Sequence, residues 1–262
     1  MPRDRHRAAW DDWAKVDPLW AVLSEPEARH GRWDVDQFFA TGVGMVATML
    51  DHSASYGRPA VRGTALDFGC GVGRLTRALA PHFEHTYGLD VAPTMVDEAM
   101  RLDAGASGAS FVVHDRDDLS RFESGTIDFV SCLLVLQHLP TRAAIETYLR
   151  EFVRVLSPGG VAVVQLPVHV PPARPRSTLR SKLQLRTRGG RALRALGVSP
   201  RVLYERFGWQ PEMRMSGIPY DETVAVFEAA GGHVLHASSE STDPGGVVSR
   251  LYFVAPDAGA AG

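Results

Sequence analysis

Lysine is almost absent from this chain: of the 28 Lys and Arg residues among 262, only Lys15 and Lys182 are lysine. That bias points to a GC-rich coding sequence rather than to a chemistry. Cysteine is as scarce. Cys70 and Cys132 are too few for a disulfide scaffold and form no metal-ligand cluster with nearby histidines, which fits a reducing cytoplasm. Long apolar runs are missing too. The longest, residues 161–170, is too short to span a bilayer, and MPRDRHRAAWDD at the start carries charge where a leader would be apolar, so neither secretion nor membrane insertion is expected. What is present is ordinary for a globular protein. The 45% hydrophobic and 22% charged residues exclude a disordered or fibrous chain, and the length suits one large α/β domain or two small ones.

The net charge of −2 conceals an asymmetry. Between Val170 and Arg214 ten arginines and one lysine face only Glu205 and Glu212, so this stretch is +9 and the remainder −11. Such a segment is either a solvated face or a surface for something anionic: a small acceptor, a membrane surface or a nucleic acid. Nucleic acid is the weakest of these, because the arginines are not interleaved with aromatic residues.

Four of the five tryptophans lie in residues 10–40, with Pro18 and Pro26 interrupting them, so this region reads as short helices. Residues 36–52 follow as an amphipathic helix with Phe39, Val43, Val46 and Leu50 at helical spacing. Strand and helix patterns then alternate: strands at 64–68, 86–89, 111–113, 127–132 and 161–166, helices at 74–80, 94–102 and 142–156. The third helix is expected to end at Ser157-Pro158-Gly159-Gly160. This alternation predicts a parallel sheet with right-handed crossovers. The pattern breaks over the basic residues 167–217, resumes as a helix at 220–230, and closes with strands at 234–237 and 247–254. The interruption follows a central strand, at the carboxyl edge where open α/β sheets bind ligands, so it reads as a lid.

The chemistry concentrates at strand ends. ALDFGCGVGR places Asp67 and then Gly69, Gly71 and Gly73 at a strand-to-helix turn, where bare backbone N–H groups can approach a ligand. The GxGxG spacing differs from the GxGxxG of a dinucleotide fold and argues against a nicotinamide cofactor. Asp90 ends the next strand, placed to accept from two ribose hydroxyls. Asp115 and Arg116 follow the third, an acid and a backbone N–H suited to an adenine edge.

Together LDFGCGVGRL, GLDVAPTMVDEA, VVHDRDDL, IDFVSCLLVLQHLP and RVLSPGG resemble the class I S-adenosylmethionine-dependent methyltransferases of the small-molecule branch. The resemblance is dense over residues 63–166 and loose to 254. It implies an α/β, Rossmann-like, seven-stranded, mostly parallel sheet with helices on both faces, the last strand antiparallel. Around it stand an N-terminal helical cap (1–60), a cofactor-binding core (61–166), a basic lid after the fifth strand (167–218), a closing helix and strand pair (219–255) and a tail (256–262). It further implies that S-adenosylmethionine is held by Asp67, Gly69, Gly71 and Arg74 at its amino-acid end, by Asp90 at the ribose, by Met95 on adenine and by Asp115 and Arg116 at the adenine edge. The Leu133 carbonyl would receive the ammonium.

The reaction that follows is methyl transfer to an oxygen or nitrogen of a small molecule in secondary metabolism, inside the cytoplasm. An aliphatic hydroxyl acceptor needs a general base, for which His169 and His138 are the candidates, each equally readable as structural. Trp10, Trp13, Trp33 or Phe38 are candidates for an apolar acceptor pocket, and the arginine-rich lid for an anionic acceptor. A nicotinamide oxidoreductase and a non-catalytic cofactor-binding scaffold are the alternatives.

Overall fold

In the computed structural model, residues 3–172, 193, 197–207 and 209–257 are described. Residues 173–192, 194–196 and 208 of the expected lid, with Arg174, Arg176 and Arg180, lie outside them, as do the last five residues of the expected tail.

Eight strands form one sheet: β1 (Thr64–Phe68), β2 (His85–Asp90), β3 (Ser110–Val113), β4 (Ile127–Cys132), β5 (Leu156–His169), β6 (Gly232–Ala237), β7 (Ser241–Thr242) and β8 (Val248–Pro256). Their order is β3-β2-β1-β4-β5-β8-β6, with β7 paired on β8. The first five are parallel, and β8 runs antiparallel between β5 and β6. Two strands, β2 and β3, thus step outward from β1 in one direction before the chain returns to lay β4 on its other side. That reversal is the topological switch point where a parallel sheet opens a crevice at its carboxyl edge.

Alternation along the strands sends side chains to two cores. Leu66, Phe68, Val130, Cys132, Ala162 and Val164 pack with Ile145, Leu149 and Phe152 of α6 (Arg142–Val155) and Phe227 of α8 (Tyr220–Ala229). Ala65, Phe129, Val161 and Val163 pack with Val46, Met49 and Leu50 of α3 (Val35–Ala54) and with Leu75 and Leu79 of α4 (Arg74–Leu79). A third cluster joins the N-terminal cap to the core. Trp13 of α1 (Arg3–Val16), Ala21 of α2 (Pro18–Val22), Phe38 of α3 and Tyr204 of α7 (Pro200–Phe207) meet Val72 and also Met95 of α5 (Pro93–Asp103).

Three details depart from the expectation. The sheet has an eighth, two-residue strand, β7, which pairs with β8 as Ser241 and Thr242. Helix α6 stops at Val155, and residues 157–160 are not a break but the start of the fourteen-residue β5. Gly159 and Gly160 permit this, since a Cβ on Gly160 would lie 2.9 Å from the Ile127 carbonyl of the neighbouring strand. The cap opens on a full fourteen-residue helix, α1, before the short pieces that the prolines impose. Among the described residues no helix is long and apolar enough to cross a membrane.

Candidate active site

The turn after β1 is fixed by its glycines. Gly69 and Cys70 donate their N–H groups to the Leu89 carbonyl at 2.7 and 2.9 Å, drawing the turn onto β2. Gly69 has φ +76°, and a Cβ there would lie 2.3 Å from Val135 Cγ2, so only glycine lets the loops after β1 and β4 close together. Gly71 has φ +53° and lies against Val22 of α2, where a Cβ would meet Cγ2 at 2.4 Å.

A cavity of about 200 Å³ opens beside this turn, lined from the ends of β1, β2 and β4, by α5 and α6, and by His6, Trp10 and Val22 of the cap. Asp67, Gly69, Gly71, Arg74, Asp90, Met95, Arg116, Leu133 and His138 all line it. Asp67 is bonded on both oxygens, accepting from Thr76 Oγ1 at 2.6 Å and Ser131 Oγ at 2.9 Å, and burial pushes its carboxyl up. It therefore locks β1, α4 and β4 together beneath the turn. Asp90 accepts from Gly71 N–H and Ala92 N–H, both at 2.9 Å, which leaves half of its lone pairs for a ligand. Burial lifts its pKa to about 6, against the pull of those two N–H groups. Arg74 is 5% exposed. Its Nη1 lies 3.4 Å from Thr41 Oγ1, and its buried Nε has no hydrogen-bond partner among the described residues. Burial lowers its pKa, while the Asp67 carboxylate opposes that shift.

Two predicted residues are not brought to the cavity. Asp115 is exposed and outside the lining; the acid that lines it is Asp117, two residues on. His169 is also exposed and lines nothing, because β5 continues past residue 166 and carries it along the β8 pairing, opposite Val248. It is not placed to act as a base on anything in the cavity. His138 is so placed. Its Nδ1 lies 2.7 Å from the Arg214 carbonyl, which can only accept, so Nδ1 holds the proton and Nε2 the lone pair. Nε2 in turn lies 3.2 Å from the Gln137 side-chain nitrogen. Of the four aromatic candidates in the cap, only Trp10 lines the cavity; Trp13 and Phe38 are buried in the cap cluster, and Trp33 packs on Phe38.

Several lining residues carry no signal in the sequence. His114 Nε2 bonds Tyr148 Oη at 2.9 Å, and Tyr148 donates to the Arg116 carbonyl at 3.0 Å, so α6 supports the loop after β3. Leu134 lines the cavity with φ +63°, a left-handed conformation uncommon for a leucine and typical of strained binding loops. His6 and Trp10 stand four residues apart on α1, the indole N–H donating to His6 Nε2 at 3.0 Å. That i, i+4 spacing was the one available clue to the pair.

The donor set suits S-adenosylmethionine. Among the lining residues are the guanidinium of Arg74, able to pair with a carboxylate, the carboxylate of Asp90, with lone pairs left for hydroxyls, and Met95, Leu89 and Leu133, which supply apolar surface. Comparison with known proteins agrees. Residues 66–164 match the family described as methyltransferase domain. Over these residues the chain is similar to methyltransferase domains. The chain is 35% identical over 102 residues to a 2-methyl-6-phytyl-1,4-hydroquinone methyltransferase from Synechocystis sp., covering 38% of this chain and 31% of that protein. It is 35% identical over 97 residues to a ubiquinone biosynthesis O-methyltransferase from Xanthomonas axonopodis pv. citri, covering 36% of this chain and 39% of that one. The match thus spans only about a third of the length of these relatives. Among solved structures, magnesium protoporphyrin IX methyltransferase from Synechocystis with bound SAH superposes with a TM-score of 0.57 at 19% identity, over 97% of this chain and 98% of that one, a likeness of fold.

Proposed function

We propose that the protein transfers a methyl group from S-adenosylmethionine to an oxygen or nitrogen of a small-molecule acceptor, in the cytoplasm and in secondary metabolism. One observation carries this reading. One cavity is lined both by Arg74, Asp90 and Met95 and by His138 and Trp10, the last from the cap. In it Arg74 holds the carboxylate of the methionine moiety, and Asp67 keeps the turn below it in place. The Leu133 carbonyl takes the ammonium. Asp90 takes both ribose hydroxyls, Gly69 and Gly71 allow the backbone to approach, Met95 covers adenine, and Arg116 with Asp117 meets the adenine edge. When bound, the cofactor supplies an already activated methyl group. The protein's own contribution is alignment of the acceptor and exclusion of water, for which α1 and α2 are the cover.

The relatives' names support a small acceptor, since one is named for a hydroquinone and the other for O-methylation in ubiquinone biosynthesis. The test is transfer of label from radiolabelled cofactor to a metabolite panel with mass detection. Transfer to a small molecule is expected; a protein that binds S-adenosylhomocysteine but labels nothing is a scaffold. The +9 segment from Val170 to Arg214 supports an anionic group on the acceptor. Raising salt from about 0.05 to 0.5 M, which shortens screening from ~14 to ~4 Å, should then raise the acceptor KM far more than the cofactor Kd. A KM indifferent to salt would favour an uncharged acceptor.

A further inference from the structure

We propose that Thr41 of α3 is a positioning residue for Arg74, holding its guanidinium where it favours a nucleoside ligand that carries an amino-acid carboxylate; this rests on the reading above, in which Arg74 takes that carboxylate. Arg74 is long, charged and only 5% exposed, a combination that is costly unless the head group is held. Its Nη1 donates to Thr41 Oγ1 at 3.4 Å, while its buried Nε has no hydrogen-bond partner among the described residues. The Asp67 carboxylate acts on the guanidinium through its charge, yet both Asp67 oxygens accept from hydroxyls, those of Thr76 and Ser131. Asp67 thus favours the charge of Arg74, and α3 sets where the head group lies.

The hydroxyl is set up to accept. Thr41 Oγ1 donates its one proton to the Phe38 carbonyl at 2.6 Å, a bond within the helix, so only its lone pairs remain for Arg74. The residue beside it explains how α3 comes so near. Gly42 is buried, and a Cβ there would lie 2.2 Å from the Arg74 carbonyl oxygen and 3.1 Å from Arg74 Cγ, so α3 rests directly on the first turn of α4 and on the stem of Arg74. Neighbouring residues fix the same seam. The Arg77 guanidinium, three residues along α4, lies 3.9 Å from the centre of the Phe39 ring, and Phe38 packs in the cluster that contains Val72 of the turn. Residues 38, 39, 41 and 42 thus form one face of α3, turned toward α4 and the glycine turn.

For a ligand the consequence is preorganisation. A free arginine side chain samples many rotamers, whereas a guanidinium already in place meets a carboxylate without losing that freedom on binding. A nucleoside without a carboxylate gains nothing from the arrangement. The Thr41 hydroxyl should therefore be felt in the affinity for the amino-acid end of the ligand alone. The ribose contact belongs to Asp90 at the end of β2 and the adenine contact to Met95 on α5, neither of which α3 holds through Thr41.

The experiment measures by calorimetry the binding of two probes, S-adenosylhomocysteine and its decarboxylated form, which keeps the ammonium and lacks only the carboxylate. The proteins are wild type, Thr41→Val, which keeps the size and helix propensity but not the hydroxyl, and Thr41→Ser, which keeps the hydroxyl. Thr41 lies at an exposed position, so valine there should leave the free protein folded. Wild type should prefer S-adenosylhomocysteine. Thr41→Val should raise the Kd of S-adenosylhomocysteine about 5-fold, as for loss of one long hydrogen bond to a charged group, and leave that of the decarboxylated probe within about 1.5-fold. Thr41→Ser should behave as wild type. Equal weakening of both probes by Thr41→Val would overturn the proposal, since it marks a role in folding alone. So would unchanged affinity for S-adenosylhomocysteine, or a Thr41→Ser variant that weakens it as much as valine does. A wild type that binds both probes equally would bring down the carboxylate assignment of Arg74 and the proposal with it, and one that binds neither would bring down the cofactor reading beneath both.

Discussion

Asp90 has a visible role in the fold and, in the proposed reading, a second one toward the ligand. Its two oxygens already order Gly71 and Ala92, so it shapes the turn before anything binds. Replacing it by alanine should weaken S-adenosylmethionine binding by about 2–3 kcal/mol, the range for charge-assisted hydrogen bonds, and calorimetry on the folded variant measures this. Its pKa of about 6 adds a pH dependence whose sign can be worked out. The ionised form accepts ribose hydroxyls best, so affinity should fall as pH drops through about 6, and Asp90→Asn should flatten that slope. Stability of the free protein moves the opposite way. The folded pKa lies above the unfolded value of 3.8, so this group favours folding below that value and loses its contribution as pH rises through about 6. Affinity that stays flat from pH 5 to 8 would contradict the ribose assignment. The residue scale is also where sequence reading failed most. Asp90 was legible because a strand end fixes its position, whereas in HDRDD only the path of the loop decides that Asp117, rather than Asp115, reaches the cavity. His169 failed for a related reason: nothing in LPVHV signals that the strand continues through it.

Among the elements, the turn between β1 and α4 is the most constrained, because three neighbours converge on it. Val135 fills the space above Gly69, Val22 that above Gly71, and Asp67 ties the underside through Thr76 and Ser131. Gly69→Ala should therefore cost about 1–2 kcal/mol for the left-handed backbone plus about 1–3 kcal/mol for the clash with Val135. Denaturant unfolding separates the two contributions. Adding Val135→Ala should relieve the clash and leave the backbone cost, so the double variant ought to be more stable than the sum of the singles predicts. Strict additivity would show that the Gly69 and Val135 contact carries no energy. The elements were mostly legible because their signals are local: alternating strand and helix periods gave β1, β4, α3 and α6 nearly to their ends. The start of β5 was not, since Pro158, Gly159 and Gly160 carry a turn signal. Here the β4 carbonyls and the close approach of Ala60 to Gly159 override local preference.

For the molecule as a whole, the cap is seated on the core by pairs distant in sequence. Asp11 of α1 accepts from Thr94 N–H at 3.0 Å, at the start of the helix that carries Met95. Tyr204 of α7 lies 3.3 Å from Asp17 Oδ2 and receives Arg29 Nε at 3.2 Å, so α7 and the cap are bound to each other as well. The fold class was legible before any of this, because a sheet needs only its period and its crossovers. The cap's seating was not, since it depends on long-range pairs such as Asp11 with Thr94. These pairs put α1 and α2 on the wall of the cavity, so a ligand there should brace segments far away in sequence. At about 100 times its Kd, S-adenosylhomocysteine should add about 2.7 kcal/mol to stability, which for a chain of this size corresponds to a rise in Tm of roughly 5–11 °C. Hydrogen exchange tells where that stabilisation falls. Protection should increase in residues 3–22 along with the turn after β1, and Trp10 fluorescence should change as its ring is covered. A rise in Tm with unchanged exchange across 3–22 would mean that the cap stands apart from the bound cofactor. The wall formed by His6, Trp10 and Val22 would then have to be assigned to the acceptor alone.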